Sequence, residues 1–315
     1  MKKRLPRRPR LQLVLLLMLL AGLIMPIGSQ AQQGILTIDP HDYSVRAVRI
    51  PGAVALDGVL DEPAWGRAQP ATDFTQRNPD EGAPASERTE IRILFNGSTL
   101  FIGARMYDQH PQNLVVSQMR RDSRLMGDDY LDIVIDTFHD HRNAFQFQIN
   151  PAGARYDAYI TDEGRDVNGD FNVVWDAATV VDAEGWTAEI AIPFSQLRFP
   201  NRGDEHLWGI NFYRNIRHKN EEDYWVPTPR DFGYRAITRM SNAGLLQGLE
   251  GIHSGRNIQV KPYGLGGTGL TRVRAPDPGE PARETDSLTD LGVDLKVGVT
   301  ASMTLDLTFN TDFAQ

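Results

Sequence analysis

Residues 131–136 read LDIVID and residues 145–150 read FQFQIN, and these two stretches decide the fold class. Apolar and polar side chains alternate in both, so each is expected to form a β-strand that buries one face and exposes the other. The same period recurs along the chain, at residues 91–95, 100–104, 186–192 and 208–212. Several short strands separated by turn residues predict an all-β fold, an antiparallel β-sandwich.

The N-terminus has the layout of a secretion signal. Its first ten residues carry six basic side chains and no acidic one, and an apolar run follows from residue 13 to residue 25. The small-residue triplet at 29–31 then supplies a cleavage site. Because a transmembrane helix needs about 20 apolar residues, we predict that residues 1–31 are a signal peptide cleaved after Ala31.

Charge and cysteine content exclude several classes of function. Without residues 1–31 the chain keeps 27 basic and 41 acidic residues, a net charge of −14. Such an acidic chain repels phosphate backbones, so we expect no nucleic-acid partner. The sequence contains no cysteine, which excludes disulfide bonds and thiolate zinc sites.

A second region covers residues 237–315. Within it, residues 291–299 and 302–309 alternate apolar side chains with small or polar ones. Strands of about 9–11 residues with this period are typical of outer-membrane β-barrels, although an ordinary exposed hairpin shows the same pattern. Since a lone hairpin is barely stable in water, we expect more strands, and therefore a fragment of a longer protein.

Five ordered motifs between about residues 50 and 235 resemble family-9 carbohydrate-binding modules. The opening motif is LDGVLDEPAW at 56–65, and the others follow in the order of that family, at residues 129–136, 147–153, 175 and 185–194. The resemblance implies a sandwich of jelly-roll type over residues 44–236. It also implies a non-catalytic module that recognises a saccharide.

The whole arrangement is similar to a narrower bacterial family. There the module follows a signal peptide and precedes a long C-terminal domain that is taken to be an outer-membrane β-barrel. Residues 310–315, NTDFAQ, resemble the NPDFSQ motif of that family. The resemblance implies that residues 237–315 are the first part of the barrel, and that the outer membrane of a Gram-negative bacterium is a partner.

Trp225 is the first candidate for saccharide binding. It ends a polar run that begins at Arg214 and includes Glu222, and sugar-binding relatives place a tryptophan after a comparable stretch. An indole ring can stack on the apolar face of a pyranose while neighbouring charges, such as Glu222, bond its hydroxyls. The alternative is that Trp225 seals the edge of the sandwich.

The second half of the expected sugar clamp is missing from the sequence. Relatives place another tryptophan before the acidic central strand, where residues 124–129 read RLMGDD and contain no aromatic residue. Asp132 matches the acid that bonds sugar hydroxyls in the family. We expect Arg120, Arg121 or Arg124 to reach the same face, and Arg124 is the candidate ligand-binding residue.

Asp166, Asn168 and Asp170 form a candidate calcium site. Hard oxygen ligands at alternate positions suit this ion, and several of the related modules carry structural calcium. The glycine and the bidentate acid of an EF-hand are absent, and a solvated acidic loop is the alternative interpretation.

Three functions are therefore open. The first is a non-catalytic saccharide-binding module at the outer membrane. The second is an accessory part of a glycoside hydrolase, although no pair of carboxylates is singled out for hydrolysis. The third is a structural or plug domain of the barrel without sugar binding, which Met126 favours because a tryptophan is expected near that position.

Overall fold

The computed structural model describes residues 39–200, 203–253, 258–272, 283–298 and 304–310. The predicted signal peptide, residues 1–31, lies outside them. Fourteen strands precede residue 258: β1 (Ser44–Arg46), β2 (Val48–Arg49), β3 (Thr75–Asn78), β4 (Thr89–Phe95), β5 (Thr99–Tyr107), β6 (Tyr130–Asp136), β7 (Ala144–Ile149), β8 (Arg155–Thr161), β9 (Asp166–Asn168), β10 (Asp176–Asp182), β11 (Gly185–Pro193), β12 (Glu205–Ile216), β13 (Glu221–Tyr224) and β14 (Gly244–Glu250).

No α-helix occurs in these ranges, which confirms the all-β prediction. Short 3-10 helices cover Pro40–Asp42, Trp65–Arg67, Pro111–Asn113, Asp162–Gly164, Phe194–Gln196, Arg217–Lys219, Arg230–Phe232, Ala236–Thr238 and Met240–Asn242. Within the described part of the chain, no helix is long and apolar enough to cross a membrane.

Two sheets form the sandwich. The larger has the order β1-β14-β12-β6-β7-β8-β9, with β13 paired to β12 and β3 paired to β13. The smaller has the order β10-β11-β5-β4-β2. The pairs are antiparallel except for β1–β14 and β2–β4, whose first strands are very short and run parallel to their neighbours.

The main core lies between the two sheets. Ile91 and Ile102 contribute to it from the smaller sheet, and Ile133 and Phe147 from the larger. All four side chains are fully or almost fully buried. The alternation seen in the sequence therefore directs the apolar positions of β6 and β7 inward and their polar positions outward.

The sandwich extends beyond the predicted boundary at residue 236. Strand β14 pairs with β12 and β1 in the larger sheet. Leu246 and Leu249 of β14 are completely buried in the main core. The sequence of β14 contains two glycines and shows only weak alternation, so it did not predict that the chain pairs with the sandwich again. That pairing depends on β1 and β12, which are distant in the sequence.

Three further strands form a separate sheet: β15 (Ile258–Arg272), β16 (Arg283–Gly298) and β17 (Thr304–Phe309). They pair as an antiparallel meander in the order β15-β16-β17. Strands β15 and β16 are 15 and 16 residues long, longer than the nine or so positions that the alternation suggested.

Candidate functional site

A row of polar and aromatic side chains crosses the outer face of the larger sheet. Asp132 on β6 lies at its centre, opposite Gln148 on β7 and Tyr213 on β12. Gln148 in turn faces Tyr156 on β8, and Tyr213 faces Tyr224 on β13. Because directly opposed residues share a face, the register alone brings these five side chains together.

A second row lies beside the first. Tyr130 on β6 is opposite Asn215 on β12, which faces Glu222 on β13. Gln146, two positions before Gln148 on β7, lies on the same face at the other side of Asp132. The outer face of the sheet therefore offers acid, amide and phenol groups over three adjacent rows.

A cavity of about 530 Å³ opens above these rows. The segment before β6 contributes Arg124 and Met126 to its wall, and the segment after β13 contributes Tyr234, Arg235 and Ile237. This volume lies within the range of about 300–1,000 Å³ that small-molecule sites occupy. Tyr234 is 78% exposed, which leaves its ring available at the mouth.

Asp132 forms the buried floor of the cavity. Its Oδ2 accepts hydrogen bonds from Gln146 Nε2 and Gln148 Nε2, both at 2.7 Å. Its Oδ1 is buried and accepts no hydrogen bond from any described residue. Burial raises the pKa of Asp132 to about 7, although the two glutamine amides oppose the shift.

Glu222 is held in the wall by an ion pair. Its Oε2 lies 2.7 Å from Arg77 Nη1 and accepts a hydrogen bond from Asn78 Nδ2 at 2.8 Å. Arg77 Nη2 donates to the carbonyl oxygen of Gly233 at 2.7 Å. This chain of contacts fixes the segment that carries Tyr234 against the sheet.

The buried tyrosines of the cavity keep their protons. Burial raises the pKa of Tyr130, Tyr213 and Tyr224 above the ordinary value. Desolvation also raises the pKa of Tyr156, which the positive charge of Arg124 partly offsets. Each phenol can therefore act as a hydrogen-bond donor at neutral pH.

The stacking role expected for Trp225 does not fit its position. Its side chain is 3% exposed and belongs to the main core, where it packs edge-on against Tyr43 and beside Phe212. Tyr224, one position earlier, lines the cavity instead. Since successive side chains of an extended segment point to opposite faces, the two residues cannot both face the ligand.

The other three predicted ligand-binding residues line the cavity, and five tyrosines that the sequence analysis did not propose as ligand-binding residues line it with them. Asp132, Arg124 and Glu222 are the predicted residues. These tyrosines are Tyr130, Tyr156, Tyr213, Tyr224 and Tyr234. The alternation in β8 and β12 marks an outward position for two of these tyrosines, but only the strand pairing shows that they meet.

The candidate calcium ligands lie at and just after β9. Asp166, Asn168 and Asp170 are all exposed. Asn168 Oδ1 accepts a hydrogen bond from the Asp170 backbone N–H at 3.0 Å, which stabilises the turn. The three side chains offer only oxygen donors, as calcium requires, and the site remains a prediction.

Comparison with known proteins gives a family match. The family model described as "Carbohydrate family 9 binding domain-like" matches residues 56–228, more than half of the chain. Comparison with curated proteins gives no match.

Three solved structures are similar to this chain. A family 9 carbohydrate-binding module from Caldicellulosiruptor kristjanssonii in complex with cellotriose is 12% identical, with a TM-score of 0.46, and covers 68% of this chain and 95% of its own. The same kind of module with glucose is 11% identical, with a TM-score of 0.44, and covers 67% and 96%. A putative carbohydrate-binding protein from Bacteroides uniformis ATCC 8492 is 13% identical, with a TM-score of 0.49, and covers 65% and 98%.

Proposed function

We propose that the cavity above β6 is the saccharide site of this chain, which belongs to the carbohydrate family 9 binding domain-like family and is a non-catalytic carbohydrate-binding module. The observation that carries the proposal is the unpartnered Oδ1 of Asp132 at the cavity floor. A buried carboxylate oxygen without a partner is costly, and a sugar hydroxyl that donates to it removes the cost.

The surroundings of Asp132 suit a polyhydroxylated ligand. Gln148 and Asn215 line the cavity and can each donate and accept hydrogen bonds. Arg124 adds charged donors at the wall. A saccharide needs such mixed donors and acceptors, because every hydroxyl group acts as both.

Tyr234 and Tyr156 supply the aromatic surface that was expected from Trp225. Both rings border the cavity, and Tyr234 is the more exposed of the two. The C–H face of a pyranose packs on an aromatic ring, while the ring plane fixes the orientation of the sugar. Tyrosines would therefore replace the two tryptophans that the resemblance implies.

Titration calorimetry of the mature chain against mono- and oligosaccharides tests this function. We expect dissociation constants between about 1 μM and 1 mM. Asp132→Asn should weaken binding by about 10- to 100-fold, since a hydrogen bond to a charged group contributes about 1.5–3 kcal/mol. Asp61→Asn is the matched control, because Asp61 is exposed and lies outside the cavity, and it should bind like the wild type.

Tyr234→Ala provides a variant that does not disturb the core, because the side chain is 78% exposed. It should weaken saccharide binding while the thermal unfolding temperature stays unchanged. The absence of heat with every sugar, or equal affinity of wild type and Asp132→Asn, would instead favour the structural or plug role.

We further propose that the protein is exported and acts at the outer membrane. Support for export comes from the basic, apolar and small-residue order of residues 1–31. On this proposal the exported module presents its cavity outside the cytoplasm. Structural calcium at Asp166, Asn168 and Asp170 would then stabilise the segment after β8.

The β15–β17 sheet supports the membrane part of this proposal. Its register aligns Val260, Leu295 and Leu307 across the three strands, and Val293 lies opposite Phe309. Val260, Leu307 and Phe309 are 57%, 51% and 75% exposed. We propose that lipid acyl chains cover this apolar face, and that the sheet is the first part of a β-barrel.

A further inference from the structure

Three side chains converge at the ends of strands in the sandwich, outside the cavity. Asp108 directly follows β5, Asp129 directly precedes β6, and His218 lies in the 3-10 helix after β12. One ligand atom from each lies within 4.8 Å of the other two. None of the three lines the cavity described above.

Asp108 has a buried oxygen that nothing satisfies. The residue is 3% exposed, and its Oδ1 accepts a hydrogen bond from the His110 backbone N–H at 2.7 Å. Its Oδ2 is buried and has no hydrogen-bond partner among the residues that the structure describes. A buried carboxylate in this state is destabilising unless a cation or a donor reaches it.

Both ring nitrogens of His218 also lack a hydrogen-bond partner among the described residues. Nδ1 and Nε2 are buried, and neither has a hydrogen-bond partner within the described ranges. The distance from Nε2 to Asp108 Oδ1 is 3.8 Å, too long for a hydrogen bond. The imidazole and the carboxylate are therefore close to one another without being hydrogen-bonded to each other.

The guanidinium group of Arg214 lies near these acids, but its recognised hydrogen bonds go to other groups. Its Nη1 donates to the carbonyl oxygen of Arg88 at 3.1 Å and to Thr89 Oγ1 at 3.0 Å. Its Nη2 donates to the carbonyl oxygen of Tyr107 at 2.6 Å. The guanidinium group contributes positive charge near the acids but no recorded hydrogen bond to Asp108 or Asp129.

Asp129 can serve a further ligand while it keeps its present contacts. Its Oδ2 accepts from the Val115 backbone N–H at 2.7 Å, and its Oδ1 accepts from the Arg217 backbone N–H at 3.3 Å. Each carboxylate oxygen has a second lone pair. The backbone contacts thus orient the group in the way that outer contacts orient metal ligands.

We infer that Asp108, Asp129 and His218 bind a divalent transition-metal ion of the zinc class. An imidazole nitrogen together with carboxylate oxygens suits zinc, whereas calcium and magnesium prefer oxygen alone. Three protein ligands leave one position for water. The ion satisfies the buried oxygen of Asp108 and one nitrogen of His218, and it ties together the ends of β5, β6 and β12.

Calorimetric titration of the tag-free mature chain with Zn²⁺, after removal of metal with a chelator, tests the inference. We expect one zinc ion per chain and an unfolding temperature that rises with zinc concentration, because a ligand of the folded state stabilises it. His218→Gln and Asp108→Asn should each weaken zinc binding by at least about tenfold. Asp108→Asn keeps the oxygen that the His110 amide requires.

His253→Gln is the matched control, since His253 is exposed and lies outside the cluster. It should bind zinc like the wild type, and near-ultraviolet circular dichroism should show native packing in all variants. Failure of the wild type to bind zinc would overturn the inference. So would equal zinc affinity in wild type and His218→Gln, or binding of Ca²⁺ in place of Zn²⁺ with no dependence on His218.

Discussion

Asp132 is a single buried acid whose proposed role in saccharide binding comes at the expense of stability. It sits in the middle of a sheet face with only one of its two oxygens satisfied. Burial raises its pKa from 3.8 to about 7, so the folded chain holds the proton more tightly than the unfolded chain does. The charged form, which on the proposed function accepts sugar hydroxyls, is thus the form that destabilises the fold.

The pH dependence of stability follows from this shift. Below about pH 4 Asp132 is protonated in both the folded and the unfolded state, so its ionisation does not lower the free energy of unfolding. From about pH 4 to pH 7 the unfolded chain loses this proton first, and the free energy of unfolding falls as pH rises. We expect Asp132→Asn to be more stable than the wild type at pH 8. Its advantage should grow by about 3 kcal/mol from pH 5 to pH 8, measured by denaturant unfolding at both pH values.

The comparison between wild type and variant isolates Asp132 from other titrating groups. Asp223, whose pKa burial raises to about 8, is present in both proteins and cancels. Asp61→Asn should follow the pH profile of the wild type. An advantage of Asp132→Asn that stays constant with pH would show that the carboxyl does not titrate in this range.

At the scale of the elements, strand β11 anchors the segment that carries the opening sequence motif, residues 56–65. Glu189 on β11 is completely buried and accepts hydrogen bonds from the backbone N–H groups of Asp57 and Gly58, at 3.0 and 2.9 Å. Its other oxygen accepts from Trp65 Nε1 at 3.1 Å. Gly58 has φ +85° and passes against Thr179, which leaves no room for a Cβ atom.

Glu189→Gln should therefore destabilise the fold. The amide nitrogen of glutamine is a donor, and both oxygens of Glu189 accept from donors, so at least one hydrogen bond is lost and the new NH₂ group faces another donor. We expect a loss of about 2–3 kcal/mol in the free energy of unfolding, measured by denaturant titration at pH 8.

Two comparisons define the result for Glu189. Glu184→Gln changes an exposed side chain at the turn before β11 and should leave stability unchanged. Saccharide affinity should survive in Glu189→Gln, because β11 belongs to the smaller sheet and contributes nothing to the cavity. A variant as stable as the wild type would mean that Glu189 does not anchor the opening motif.

On the scale of the whole molecule, the β15–β17 sheet differs from the sandwich in how far its apolar side chains are exposed. The sandwich covers its apolar faces with a second sheet, whereas Leu307 and Phe309 remain about half and three-quarters exposed. Such an apolar face drives association in water unless lipid or detergent covers it. The proposed membrane location therefore makes a prediction about solution behaviour.

We expect the mature chain to self-associate in water and to become monodisperse with bound detergent in a nonionic detergent. Leu307→Lys should reduce self-association, since it places a charge on the apolar face. Thr308→Lys is the matched control, because the next residue of a strand points to the opposite face. Size-exclusion chromatography with light scattering measures both effects, and a monomer that binds no detergent would contradict the lipid-covered face.

The sequence placed some candidate residues at the cavity and one in the core. Asp132, Arg124 and Glu222 were proposed from family motifs and a polar run, and all three line the cavity, while their binding role stays a prediction. Trp225 was chosen for its chemistry, yet it lies in the core. Residue type alone cannot tell which face of a strand end points inward, because a shift of one position reverses every side chain.

No local sequence pattern predicts the cluster of Asp108, Asp129 and His218, or the meeting of the tyrosines on one face of the sheet. Asp108, Asp129 and His218 are separated by tens to more than a hundred positions in the sequence, and only the pairing of β5, β6 and β12 with their neighbours brings them together. No spacing rule for metal ligands covers such separations.

The alternation of residues 131–136 and 145–150, by itself, determined that this protein is all-β and which side chains of β6 and β7 face the core. Hydrophobic burial is a local matter of every second residue, so a strand carries that information in its own sequence. The tertiary structure alone decided that Asp132, Gln148, Tyr156, Tyr213 and Tyr224 share one row. That outcome depends on register between five strands, which long-range pairing sets and no single strand encodes.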